Sequence, residues 1–393
     1  MDKKSILIFG VGELQKSIIT RAKNMGLYVI GIDPCDDAVC KNEVDVFEVV
    51  DGQDYENTLR VARKYDIKAV ITAATDKPLV MMARVAKKMG LRFYSEETAK
   101  WSTDKFQMKE RFIKHGIPCA RGRIIKQANE AKDLDFPLIL KPRDNSGSRG
   151  VILCNDMDAL RDAMEEALQY TRLDSVLVEE FIDGSEYSIE SVHYDGKSEV
   201  IQFTEKRTTP FPYNVELGHT QPANLSEEQK KTTRNLIAKI GEALKFEYCA
   251  SHTELKINKR GIYIIETSPR LGGDYITSTL TPLSTGVNIE DLLLHIALGE
   301  NINYQLTNSS FSGIHFFAFD PNRVVKATPD KRVVLSWPHV VDYSLRLSKD
   351  DQINIISSSL NRYGHLILKT TNRKSMDEAF EKYENIIEDI CLK

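Results

Sequence analysis

The chain has 393 residues, 41% of them hydrophobic and 28% charged, with a formal net charge of −4. That length exceeds one ordinary domain and predicts two or three. The composition is that of a globular protein in water, and with no long basic run it argues against nucleic acid as a partner.

The opening MDKKSILIFGVGE goes straight into a strand-like run, with an apolar part too short for a signal segment. No apolar stretch is long enough for a membrane helix, so a cytoplasmic chain without a membrane partner is expected. Six cysteines (35, 40, 119, 154, 249, 391) are scattered without a C-x-x-C pair and read as free thiols of a reducing compartment.

Residues 1–100 alternate. SILIFGVG reads as a buried strand, ELQKSIITRAKNMG as a helix stopping at Gly26, LYVIGID as a strand, DYENTLRVARKYD as a helix, KAVITAA as a strand and PLVMMARVAKKMG as a helix. Strand and helix in turn predict a Rossmann-like parallel sheet with crossover helices. Gly10-Val11-Gly12 gives half of a dinucleotide fingerprint, but Gln15 stands where the third glycine belongs. With Asp33 ending the second strand, a tight turn beside a small substrate is the preferred reading over NAD binding.

A helix over 104–116 follows, then FPLILK and GVILC as strands around a Gly/Ser loop, a helix over 156–170, and the strands SVLVEEFI, EYSIESVHY and EVIQFTEK. A long helix covers 226–245, and a hairpin covers 253–266. SGIHFFAFD, VVDYSLRL and GHLILKTT are strands, and the tail from Ser375 is a helix. This half predicts α+β architecture, with divisions at 1–100, 101–302 and 303–393.

Three segments carry chemistry. The loop 141–151, KPRDNSGSRGV, joins strand to strand and so is a flap able to close over a triphosphate, not a P-loop. Lys141 ends an apolar strand there and calls for an anion. In VLVEEFIDGSEYSIE, the backbone at the strand exit can serve an adenine and Glu186 a ribose. In TELKINKRGIYIIE, a three-residue turn Lys259-Arg260-Gly261 would pair Asn258 with Ile262 and set Glu254 opposite Glu266. Facing like charges are unfavourable unless a cation sits between them, and Mg²⁺ suits two carboxylates plus phosphate oxygens. Lys206, Arg207 and His219 fall on a strand and a proline-containing loop that suits a substrate-facing segment.

The order of these pieces resembles the ATP-grasp superfamily: D-K (104–105), L-K-P (140–142), S-G-S-R-G-V (146–151), V-E-E-F-I-x-G-x-E (178–186), E-L-K (254–256) and E-T-S-P-R-L-G-G (266–273). It spans roughly residues 100–300, the first 100 resembling the family's preceding domain and R-Y-G-H (362–365) its C-terminal cap. The resemblance implies a Rossmann-like N-terminal domain, an ATP-grasp domain of two α+β lobes, and an α+β cap. It implies that Lys105, Lys141, Ser146, Gly147 and Ser148 face ATP phosphates. The Glu179 carbonyl and Ile182 amide would hold adenine beside Glu180 and Phe181, and Glu186 the ribose. Glu254 and Glu266 would hold Mg²⁺ or Mn²⁺, with Ser268 where the family usually has Asn. Arg270 and Lys141 would be catalytic, with Lys206, His219, Arg270, Gly272 and Gly273 toward the substrate.

P-R-L-G-G resembles the amino-acid and dipeptide ligase branch. The expected activity is therefore an ADP-forming carboxylate–amine ligase acting through an acyl phosphate. Its expected partners are small-molecule carboxylate and amine substrates, and a homodimer is left open. The competing readings are a carboxylase acting through carboxyphosphate and a non-catalytic nucleotide-binding protein.

Overall fold

The computed structural model describes residues 3–145, 147–211, 213–307 and 310–393. The N-terminal region runs β1 (Ser5–Phe9), α1 (Lys16–Asn24), β2 (Tyr28–Asp33), β3 (Val46–Val49), α2 (Tyr55–Lys64), β4 (Ala69–Ile71), α3 (Leu79–Met89) and α4 (Glu96–Thr103). The four strands are parallel, in the order β3-β2-β1-β4. Apolar runs such as Ile6–Phe9 are buried on both faces, as a parallel sheet between helices requires. Strand β3 and helix α4, the latter capped by Ser95 through the Thr98 amide, were not predicted.

Gly10 sits at φ +87°, a conformation that favours glycine, and lets the chain turn sharply out of β1. Gln15 is a clamp here: its Oε1 accepts from the Gly12 amide (3.0 Å) and its Nε2 donates to the Ala73 carbonyl (2.6 Å). Asp33 accepts from the Val11 and Cys35 amides (2.9 and 3.0 Å). Both features that prompted the dinucleotide comparison are thus used in shaping the turn.

A small lobe follows, with α5 (Lys105–Lys114), β5 (Gly122–Ile125), β6 (Leu138–Lys141), β7 (Ile152–Cys154), α6 (Met157–Leu168) and β8 (Val176–Glu180). Its antiparallel sheet has the order β5-β8-β6-β7, and Leu138, Leu140, Val176 and Val178 pack on Leu160 and Met164 of α6.

The remainder comprises β9 (Ser185–Tyr194), β10 (Lys197–Thr208), β11 (Glu216–Gln221), α7 (Glu227–Leu244), β12 (Cys249–Asn258), β13 (Gly261–Ser268), a π-helical turn (Ile276–Leu280), α8 (Thr281–Thr285), α9 (Ile289–Leu298), β14 (Phe311–Phe316), α10 (Lys331–Leu335), β15 (Val340–Leu345), β16 (Gly364–Thr370) and α11 (Arg373–Leu392). One eight-stranded sheet runs β13-β12-β9-β10-β11-β14-β16-β15. The strands after residue 303 therefore extend the sheet begun before it, through β11 against β14. Helix α9, which was not predicted, packs Ile289, Leu293 and Ile296 with Ile6, Ile8 and Val29 of the N-terminal sheet. Neither spatial unit is a simple run of sequence. Among the described residues no helix is long and apolar enough to cross a membrane.

Candidate active site

The carboxylate hairpin is formed by β12 and β13, and Glu254 does lie opposite Glu266. The route to that register differs from the expected one. Asn258 pairs with Gly261 across a two-residue turn, Lys259-Arg260, whose Arg260 amide donates to Asn258 Oδ1 (2.8 Å). The pairing then shifts between Glu254 and Leu255, where Ile265 is the extra residue on β13. This β-bulge, not a three-residue turn, restores the facing of the acids, and bulges re-aim side chains next to sites.

Each acid has a lysine. Lys105 Nζ lies 2.7 Å from Glu266, and Lys206 Nζ lies 2.9 Å from Glu254 and 3.3 Å from Glu216. Burial pushes the Glu254 carboxyl up, but Lys206 and His252 outweigh it and hold the group well below the usual carboxylate range. Burial likewise works against the Lys206 ammonium, and Glu254, Glu216 and Glu186 more than offset it. Among the described residues no set of three or more acidic, imidazole or thiol ligands assembles. Two facing carboxylates suit a Mg²⁺ that draws its other oxygens from phosphate and water. Ser268 is turned elsewhere, donating to Asp76 Oδ1 (2.5 Å).

On one side of the pair lies a cleft between the two lobes, lined by Lys141, Gly147, Ser148, Phe181, Ile182 and Glu186. Ser146 lies outside the described residues. The flap base is tied down by Lys105 Nζ donating to the Asn145 carbonyl (2.9 Å). Phe181 meets Phe211 edge to face (5.3 Å), with Lys256 5.0 Å from the Phe181 ring. Glu186 accepts from Asn214 Nδ2 (2.8 Å) and pairs with Lys256 (3.1 Å).

The strand exit departs from expectation in one atom. The Phe181 amide donates to the Pro137 carbonyl, which fixes the alternation and puts Glu179 in a hydrogen-bonded pair with Ile139. The Glu179 carbonyl is thus committed to the ladder. The Arg121 amide, however, donates to the Glu180 carboxylate (3.0 Å), not to the Glu180 carbonyl. Glu180, not Glu179, offers a main-chain acceptor at the exit.

The Glu179 side chain instead bridges two buried lysines. Lys141 donates to Oε1, and Lys109 Nζ stands 2.9 Å from Oε2, within ion-pair reach though off hydrogen-bond geometry. One carboxylate against two ammoniums leaves an excess positive charge beneath the cleft. Burial, then Lys109, pulls the Lys141 pKa below its ordinary value against the pull of Glu179. Lys109 was missed, although it follows Lys105 by one helical turn, a spacing that puts both on one face.

On the other side of the carboxylate pair a second cavity of about 450 Å³ opens, sharing Lys105, Lys206, Glu254 and Glu266 with the first. Arg270 lines it and is clamped by Asp76, with Nε to Oδ1 at 2.9 Å and Nη2 to Oδ2 at 3.1 Å. Asp76 follows β4 of the N-terminal sheet, and the carboxyl ends of parallel strands are where such sheets present ligand groups. Arg362 of the cap makes a two-pronged contact with Asp274 (2.6 and 2.7 Å), which His219 also approaches at 3.3 Å. His219 lies on β11, not in the expected loop, because Glu216–Gln221 pairs with both β10 and β14. Alternation along β10 sends Lys206 into the cavity and Arg207 to the opposite face, beside His315.

Of the glycines expected near substrate, Gly273 lines the cavity. Gly272 has a packing reason: a Cβ there would stand 2.8 Å from His252 Nδ1 and 2.9 Å from Glu190 Oε2. His252 donates to the buried Glu190 (2.7 Å). Burial disfavours the imidazolium, but Glu190 and Glu254 outweigh it and raise the pKa from 6.5 to about 9. A raised folded-state pKa gives stability that is full below pH 6.5 and lost as pH rises through about 9. The melting temperature should therefore fall across that window, and His252→Gln should flatten the fall. An equal alkaline slope in the variant would remove His252 as its source.

Residues 134–278 match the model of the ATP-grasp domain. The chain is 24% identical over 397 residues to the uncharacterized protein y4rH of Sinorhizobium fredii, covering 97% of this chain and 82% of that one. It is 28% identical over 268 residues to the alanine–anticapsin ligase of Bacillus subtilis, covering 61% of this chain and 56% of that protein. The structure of an L-amino acid ligase from Bacillus licheniformis superimposes with a TM-score of 0.85 at 19% identity, covering 98% of each chain. At that identity the likeness is one of fold.

Proposed function

We propose that the chain is an ATP- and Mg²⁺-dependent ligase that joins a small carboxylic acid to an amine with release of ADP and phosphate. The observation that carries this reading is that two cavities meet at one facing carboxylate pair, a cleft under the flap on one side and an arginine-lined chamber on the other. A reaction that moves phosphate from a nucleotide to a second substrate needs that arrangement. The division at 1–100, 101–302 and 303–393 is kept as a description of parts serving one site.

Lys141 and Lys105 would hold the phosphates, while Phe181, the Glu180 carbonyl and the Ile182 amide would take the adenine. Glu254 and Glu266 would hold Mg²⁺, which when bound neutralises charge on the transferring phosphate. A carboxylate oxygen attacks the γ-phosphorus, and the bond to the ADP oxygen breaks. The amine lone pair then attacks the acyl carbon, the carbon–phosphate oxygen bond breaks, and the surplus proton of the nitrogen passes to phosphate or water. Arg270, held square by Asp76, faces the oxygen on which charge develops. The flap excludes water from the acyl phosphate.

Arg270→Met is expected to lower kcat on the order of a hundredfold with nucleotide affinity nearly kept, since its role falls in the transition state. A loss confined to ADP affinity would count against that role. The whole reading is tested by measuring ADP release across amino acids, other carboxylic acids and bicarbonate, singly and with amines. ADP release should need an organic acid, whereas release with bicarbonate alone would make the chain a carboxylase.

A further inference from the structure

Lys109 is a buried charge that the fold does not need. It sits in the second turn of α5, 3% exposed, on the buried face with Met108 and Phe112. Among the described residues its Nζ makes no hydrogen bond, and its counter-charge is Glu179 Oε2 at 2.9 Å. Glu179 already has a partner in Lys141, which donates to Oε1. One acid and one lysine make a complete buried pair, and a second buried ammonium adds a desolvation cost. An apolar side chain at position 109 would spare the fold that cost.

The layering of the cleft shows what the extra lysine adds. Lys141 pairs with Leu177 and Ile139 with Glu179, so Lys141 and Glu179 are diagonal neighbours on one face of the small sheet. The other face, with Leu140 and Val178, packs on α6. Lys141 and Glu179 line the cleft under the flap, whereas Lys109 lines neither cavity and reaches the cleft only through Glu179. Burial pushes the Glu179 carboxyl up, and Lys109, then Lys141, bring it below its ordinary value. Lys109 is thus a full counter-charge to the acid even with Lys141 in contact. Burial, against the pull of Glu179 and with Lys109 adding to it, leaves the Lys141 ammonium below its ordinary pKa. Such a cation gains from a further anion.

Resting on the nucleotide site of the ligase reading, we propose that Lys109 is a positioning residue: it neutralises Glu179 from outside the cleft, so that the Lys141 charge is left for the nucleotide triphosphate. Without Lys109 the acid would claim Lys141 for itself. A triphosphate entering the cleft would then have to draw Lys141 away and leave a bare buried carboxylate facing the phosphates. With Lys109 present the three groups carry one net positive charge. Lys141 can turn from Oε1 to a phosphate while Glu179 keeps a partner.

The test measures Mg-ATP binding to the full chain by calorimetry, with a melting curve for each variant. Lys109→Met leaves a neutral Lys141–Glu179 pair, so the protein should stay folded. Its Kd for Mg-ATP should rise at least about tenfold, the scale of one lost charge-assisted contact. Combining Lys109→Met with Glu179→Gln removes the competing acid as well, and the Kd should return to within about threefold of the unsubstituted chain. A merely structural lysine gives the opposite result, a double variant that binds no better than the single one. Unchanged affinity in Lys109→Met, its failure to fold, or no recovery in the double variant overturns the inference and leaves the ligase reading standing. Absence of Mg-ATP binding by the unsubstituted chain removes the ligase reading, and the inference with it.

Discussion

Glu266→Gln should reduce ADP formation by at least about a thousandfold while the protein stays folded. The amide is nearly isosteric and keeps an oxygen for Lys105, which also donates to the Asn145 carbonyl. Removing one of two facing like charges does not strain the hairpin, so thermal unfolding should move by only a few degrees. What is lost is half of the two-carboxylate donor set that would hold Mg²⁺ against the transferring phosphate. Steady-state ADP release and a melting curve check both halves. Unchanged turnover would take the metal-holding role away from the hairpin.

Glu179→Gln should be the most damaging single change to stability in the cleft, on the order of 3–5 kcal/mol. Glu179, Lys141 and Lys109 side chains are each about 4% exposed, and the carboxylate is the counter-charge both lysines share. Without it two ammoniums are buried together, and one must give up its proton or the lobe must open to water. Burial alone would push the Glu179 carboxyl up, but Lys109 and Lys141 hold it below its ordinary value, so it stays charged at neutral pH. Urea unfolding measures the loss, and adding Lys109→Met to Glu179→Gln should recover much of it by restoring one lysine without an acid. A loss below about 1 kcal/mol, or no recovery in the double variant, would show that the three groups do not act as a unit.

Much of this was legible in the sequence because its signals are local. The alternating strands and helices of residues 1–100 and the apolar runs of β6 and β8 announce themselves by period. The pairing of Glu254 with Glu266 was also readable, but its mechanism was not. A two-residue turn with a bulge and a three-residue turn give the same facing, and nothing in INKRGIY distinguishes them. The Glu179 carbonyl was misassigned because ladder parity depends on the partner strand, which here is set by Pro137 and Arg121, some forty to sixty positions away. Asp76 and Asp274 were invisible for a related reason. Each is an ordinary loop acid until the fold brings Arg270 or Arg362 against it. Strand β11 was hidden by its polar residues, His219 and Gln221, which are buried in a polar interior.

The central claim is that a carboxylate is activated by direct phosphoryl transfer at the Glu254–Glu266 pair. The most direct measurement uses a turned-over acid whose carboxylate carries heavy oxygen, with mass analysis of the released phosphate. One labelled oxygen should appear in the phosphate and one should remain in the amide product. Phosphate without label, or release of AMP in place of ADP, would contradict the account.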